Sequence, residues 1–178
     1  MARPDLTGVL LVGGASTRFG SPKALAELNG ETLAERAWRI LGETCRERIA
    51  VGKAADGLDL PFPVLDDGSE TRAAMAGLVA GLRAATTEVC VVLPVDTPLV
   101  TRALLLALAD ACTDAAVPQT GPLPGAYARS ALPTLERRFA HGRLALRDAL
   151  DELETVRLQL DPALLANVNT ADDLRRLG

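Results

Sequence analysis

The chain has 178 residues, 48% of them apolar and 24% charged, with a net charge of −4; this predicts one domain, residues 1–178, with a core that needs no disulfide or metal staple. Interspersed acidic and basic residues, with one Trp, one Tyr and three Phe, exclude a basic face for duplex nucleic acid and stacking platforms for single strands. No apolar run approaches the ~20 residues of a membrane-spanning helix.

The opening MARPDLTG lacks the charged start, apolar stretch and cleavage site of a secretory signal, so a cytoplasmic location is expected. Residues 8–12 read as a buried strand stopped by Gly13-Gly14, with a loop to about Asn29. Leu33, Ala37, Trp38 and Leu41 predict a helix over residues 32–44, with Trp38 on its core face rather than as a ligand platform. Residues 48–51 and 64–65 make two further strands. An Ala-rich helix is expected over 70–85. Gly77 and Gly81 weaken it by ~1 kcal/mol each relative to Ala, and their spacing implies close backbone packing. Residues 89–93 form the clearest central strand. Thr101 caps a Leu-rich helix running to Cys112. A short strand follows at 115–117, then PQTGPLPG (118–125), a loop dense in turn formers. Helices over 131–139 and 143–153 lead to an alternating strand near an edge, 155–160. Thr170 and Asp173 form a capping box opening a last helix over 171–177. Cys45, Cys90 and Cys112 are odd in number and show no CxxC pair; they read as small buried apolar residues. Alternating strands and helices imply an α/β protein, a three-layer Rossmann-like sandwich with a mainly parallel mixed sheet.

The segment LVGGASTRFGSPKAL, residues 11–25, carries the most chemistry. After the strand, its small residues from Gly13 and Gly14 onward let successive backbone N–H groups face one concavity that holds phosphate oxygens. Arg18 can clamp a pyrophosphate, and Lys23 adds a point charge. This suits attack on an α-phosphorus, where charge on the phosphate and the departing pyrophosphate must be stabilised. No Lys-Ser or Lys-Thr follows the last glycine, so it is not a P-loop, nor does it match the three-glycine dinucleotide fingerprint. LPVDTPL places Asp96 just past a central strand, as a turn former beside Pro98 or as a carboxylate for Mg²⁺. In VLDDGS, Asp66, Asp67 and Gly68 read by themselves as a turn. NVNT, residues 167–170, reads by itself as a loop into a helix cap. His141, the single histidine, reads as a solvated cap. Arg143 and Arg147 are a solvated face or a small anion patch.

LVGGASTRFGSPKAL resembles the signature of the sugar-nucleotidyltransferase-like superfamily, in the form used by molybdenum cofactor guanylyltransferases. LPVDTPL and NVNT resemble that family's later motifs. The resemblance implies transfer of GMP from GTP to molybdenum-loaded molybdopterin, with release of pyrophosphate. It implies catalytic roles for Arg18, Lys23 and Asp96, with Asp96 holding Mg²⁺. It places the nucleotide on Leu11, Val12, Gly13, Gly14, Lys23, Gly52, Asp67 and Asp96, and the acceptor on Asn167 and Asn169. Tyr127 either lines the acceptor side or buries a strand. Transient contact with molybdopterin-delivering proteins is expected, from a monomer or weak homo-oligomer. Two departures stand out. Gly52 occupies a place where the family often has Asn, so a contact there must come from backbone or a neighbour. Ala73-Ala74 replaces a Gly-Pro entry turn, which predicts an earlier helix start. Two other readings remain open: a related enzyme using CTP or a sugar-phosphate acceptor, and a non-catalytic nucleotide-binding relative. Cytidylyl-transferring relatives tend to have TAAG where this chain has LVGG, which favours GTP.

Overall fold

In the computed structural model, which describes residues 1–13 and 21–177, the chain opens on strand β1 (Arg3–Leu11). Strands β2 (Glu27–Leu28) and β3 (Glu31–Thr32) pair antiparallel. Between them Asn29 and Gly30 take positive φ of 55° and 79°, as Asn-Gly does in a two-residue hairpin. Helix α1 (Leu33–Thr44) starts at a capping box between Thr32 and Glu35. Then come β4 (Cys45–Gly52), β5 (Val64–Asp66), α2 (Ala74–Ala84), β6 (Val89–Pro94) and α3 (Arg102–Ala111). The remainder is β7 (Ala115–Pro118), β8 (Gly125–Ala128), α4 (Leu132–Ala140), α5 (Leu146–Ala149), β9 (Thr155–Leu158) and α6 (Ala171–Arg175). No helix among the described residues is long and apolar enough to cross a membrane.

Seven strands form one sheet in the order β5-β4-β1-β6-β8-β7-β9. Strand β8 alone runs antiparallel to its neighbours, β6 and β7. This is the mainly parallel mixed sheet that the alternating pattern predicts. The continuous apolar run of β1 has a direct cause: both faces of a central parallel strand are covered. Leu6 and Leu10 pack with α1 and α3 residues such as Leu41, Leu105 and Leu108. Val9 and Leu11 pack with Met75, Leu78 and Leu82 of α2 and Leu135 of α4. The sandwich therefore has three layers.

Several expected boundaries move. Helix α2 begins at Ala74, later than predicted, so loss of Gly-Pro does not lengthen it. Ala73 is extended (φ −141°, ψ 144°). Ahead of it the Thr71 N–H donates to Ser69 Oγ at 3.0 Å, and Arg72 is turned toward Asp56, which holds residues 69–73 in a loop. The helix predicted over 143–153 shortens to α5 and a 3-10 turn (Leu150–Glu152). Gly142 has a φ of 68° and Arg143 N–H donates back to Arg138 O at 2.9 Å, which delays its start. Strand β8 realises the second of the two alternatives for Tyr127, a buried strand. Its Tyr127 is fully buried, with the hydroxyl donating to Pro122 O at 2.7 Å, so it serves the core and not an acceptor surface. Strand β9 lies at the sheet edge, as its alternation predicts.

Cys45 and Cys90 are buried and Cys112 is half-buried. Burial pushes the thiols of Cys45 and Cys90 up to about 12 and that of Cys112 up to about 11. At pH 8 a thiol at 12 is thiolate in only about one molecule in ten thousand. Cys45 and Cys90 are therefore expected to resist a disulfide-exchange reagent in the native protein and to react on unfolding in guanidinium. Rapid native labelling of all three thiols would contradict this.

Candidate active site

Strands β5, β4, β1 and β6 run parallel and end on the same side of the sheet. Open α/β sheets bind ligands at such carboxyl ends. A cleft of about 330 Å³ opens there. Among the described residues it is lined by Leu11 and Gly13 at the end of β1, Val51, Gly52 and Lys53 at the end of β4, and Asp67 after β5. Arg72 and Ala73 ahead of α2, Ala74 and Gly77 in its first turn, Pro94 and Asp96 at the end of β6, and Leu123 and Asn167 complete it.

At the β6 end, Lys23, Asp96 and Asn169 come together. Lys23 Nζ lies 3.6 Å from Asp96 Oδ2 and donates to Asn169 Oδ1 at 3.4 Å. The Lys23 and Asp96 side chains are 18% and 30% exposed; Asp96 lines the cleft and Lys23 reaches it through Asp96. The turn carrying Asp96 is held by one backbone and one side-chain bond: Val95 N–H donates to Leu11 O at 3.3 Å and the Thr97 hydroxyl to Pro94 O at 3.1 Å. Helix α3 takes Thr101 as its cap, so Asp96 caps no helix. The C-terminal segment reaches this turn through one bond, Val168 N–H to Asp96 O at 2.8 Å. Val168 is fully buried between two exposed asparagines. That anchor explains how residues so distant in sequence share a site. Thr170 accepts from Asp173 N–H in the predicted capping box.

At the β4–β5 end, Lys53 Nζ donates to Asp67 Oδ1 and Oδ2 at 2.8 Å each and also to Ser69 O. Asp67 Oδ1 accepts from Ser69 N–H at 2.9 Å, so Asp67 forms a turn and lines the cleft at once. Asp66 faces the N–H groups of Ala54 and Gly68, at 2.6 and 2.7 Å. Those backbone bonds hold its carboxyl below the usual range. Its neighbour Asp67 is the one in the cleft wall. Arg72 forks onto Asp56 at 2.6 and 3.2 Å and lowers the Asp56 carboxyl against a smaller opposing effect of burial. Gly52 has a packing reason: a Cβ there would lie 2.8 Å from Val12 Cγ2 and 3.3 Å from Val64 Cγ1.

Of the residues singled out in the sequence, Leu11, Gly13, Gly52, Asp67, Asp96 and Asn167 line the cleft, and Lys23 and Asn169 join at Asp96. Val12 does not line it. Its side chain packs under Gly52 and its N–H is bonded to Val51 O at 3.0 Å, so that N–H is not presented to a ligand. Gly14 and Arg18 lie outside the described residues. His141 Nδ1 is 2.7 Å from Arg137 O at the end of α4. Arg143 and Arg147 turn to different partners, Glu152 and Thr120 O. Trp38 stacks on Phe62 with ring centroids 4.3 Å apart, and the Arg48 guanidinium lies 4.4 Å from its ring, so it is packing and not a ligand platform. The sequence reading passed over Lys53, Arg72 and Leu123. A signal for Lys53 existed: only two of the 19 basic residues are lysines, and both lie at this site.

A family model, the MobA-like NTP transferase domain, matches residues 8–156. A probable molybdenum cofactor guanylyltransferase of Chloroflexus aggregans is 35% identical, over 96% of this chain and 92% of its own length. A protein of the same name from Bacillus subtilis is 32% identical, over 93% and 90%. The crystal structure of the Archaeoglobus fulgidus molybdopterin-guanine dinucleotide biosynthesis protein A superposes with a TM-score of 0.81 at 28% identity, covering 96% of each chain. With a matching model over most of its length and relatives this similar, the chain belongs to the family of MobA-like NTP transferase domains.

Proposed function

We propose that this enzyme transfers GMP from GTP to molybdopterin, forming the guanine dinucleotide cofactor and releasing pyrophosphate. The observation that carries this is the convergence of Lys23, Asp96 and Asn169 beyond the ends of β1 and β6. The names borne by the relatives supply the acceptor. The pterin's phosphate is already anionic at neutral pH, so no general base is required. One of its oxygens forms a bond to the α-phosphorus as the bond from that phosphorus to the β-phosphate's bridging oxygen breaks. The electron pair leaves with pyrophosphate. The protein's task is positioning and charge neutralisation. Lys23 sets its ammonium beside the charge that develops, and Gly13 lets backbone approach the phosphates. Gly14 and Arg18 are assigned to the same triphosphate from sequence, and Asn167 and Asn169 to the acceptor phosphate.

The residues fit Mg²⁺. Asp96 Oδ2 and Asn169 Oδ1 already converge on one cation, the Lys23 ammonium. Among the described residues no group of three His, Cys, Asp or Glu gathers, so a bound ion would take its remaining ligands from phosphate oxygens and water, a mixture Mg²⁺ favours. When bound, the ion offsets charge on the phosphates. The base goes to the other end. Neighbouring strands lie about 4.8 Å apart, so the ends of β5 and β6 are about 14 Å apart across β4 and β1, a span suited to a nucleotide from base to phosphates. Gly52 and Asp67 then meet the base, with Asp67 accepting from guanine N–H groups.

Thermal melts with GTP, CTP, ATP and UTP plus Mg²⁺ test the nucleotide. At a hundredfold over its Kd, GTP is expected to add about 2.7 kcal/mol, a rise of roughly 5–10 °C. Preferential stabilisation by CTP overturns the choice of nucleotide, and absence of pyrophosphate release with GTP and molybdopterin overturns the acceptor.

A further inference from the structure

The Lys53 and Asp67 side chains are 10% and 7% exposed, yet they form part of the cleft wall. A pair buried this far is desolvated at a cost that an apolar pair of similar volume would avoid. Its position in a ligand cleft points to use of the charges there. Both carboxylate oxygens and Ser69 O share one ammonium, so turning one lysine proton from a carboxylate oxygen to an incoming oxygen leaves the other Asp67 contact in place. An arginine fork would occupy both oxygens in a fixed geometry, and arginine is the basic residue this chain otherwise uses, in 17 of 19 positions.

We propose that Lys53 selects the base, donating to a 6-oxo group while Asp67 accepts from the adjacent ring N–H. The inference rests on the guanylyl-transfer reading above. The pair offers a donor beside an acceptor. Guanine offers the complement, with O6 followed by N1–H and the 2-amino group. Adenine and cytosine begin with an amino donor that would face the ammonium. Uracil matches the first two positions and then presents a carbonyl to the carboxylate. The expected order is guanine, then uracil, then adenine and cytosine.

The test compares kcat/KM and calorimetric Kd for GTP, inosine triphosphate and 2,6-diaminopurine ribonucleoside triphosphate, in wild type and Lys53→Met. Inosine keeps the 6-oxo group and N1–H; diaminopurine carries an amino group at position 6. Wild type is expected to reject diaminopurine far more than inosine. Lys53→Met should reduce the preference for GTP over diaminopurine by about 10- to 100-fold and leave the ratio of GTP to inosine triphosphate unchanged. Should the variant fail to fold, the wild-type comparison still decides. Equal use of the 6-oxo and 6-amino nucleotides by wild type overturns the proposal, as does an unaltered ratio in Lys53→Met. If wild type binds none of these triphosphates, the guanylyl-transfer reading itself has failed.

Discussion

Asp96→Ala is expected to cut pyrophosphate release by about a thousandfold or more while the protein stays folded. The carboxylate meets Lys23 in the cleft and is 30% exposed, so its removal opens no core cavity. The bonds that shape the turn do not use the Asp96 side chain: Val168 N–H to Asp96 O, Val95 N–H to Leu11 O, and the Thr97 hydroxyl to Pro94 O. Alanine keeps them all. What it removes is a cleft-lining carboxylate, on the metal reading a charged ligand for Mg²⁺, and one of the partners of Lys23. Melting within about 1 kcal/mol of wild type would fit an exposed site. Steady-state pyrophosphate release with GTP, Mg²⁺ and molybdopterin is the measurement. Near-normal turnover in the folded variant would remove Asp96 from the chemistry.

Gly81→Ala should destabilise the protein by about 1–3 kcal/mol, although alanine is the better helix former by about 1 kcal/mol. A Cβ at Gly81 would sit 2.5 Å from Val9 Cγ1 and 3.1 Å from Cγ2. Val9 is fully buried on β1, paired with Ile49 of β4 and Val92 of β6. A β-branched side chain on a central strand has little freedom to turn away, so α2 must lift from the sheet. Gly77 is similarly close to Leu11, at 2.9 Å to Cδ2, but the end of a leucine can move. Melting should fall by about 2–4 °C for each kcal/mol in a chain of this size. Val9→Ala combined with Gly81→Ala should cost less than the two separate losses added together. A single Gly81→Ala variant more stable than wild type would show that the helix does not pack this closely.

Helix and strand identity was largely legible because it depends on near neighbours. The apolar run before Gly13 reads as a buried strand, and Gly77 and Gly81 imply close packing of α2, whose partner β1 only the structure names. The Thr170–Asp173 cap is likewise a local bond. LVGGASTRFGSPKAL and LPVDTPL supplied candidates for phosphate and metal contact through their residue types. Boundaries were less legible where a distant group competes: Arg72 turns to Asp56, and α2 starts late. Only the tertiary structure decided that β8 enters the sheet antiparallel, that Tyr127 is core, and that Val12 is bonded away from the cleft. It also decided the partners. Lys23 and Asn169 are 146 positions apart in the chain, and they meet because Val168 is drawn into the core against Asp96. Lys53 and Asp67 meet because β4 and β5 end side by side. Residue type sets what chemistry a position can perform, but strand order and register set which positions face each other, and those are fixed by burial summed over the whole sheet.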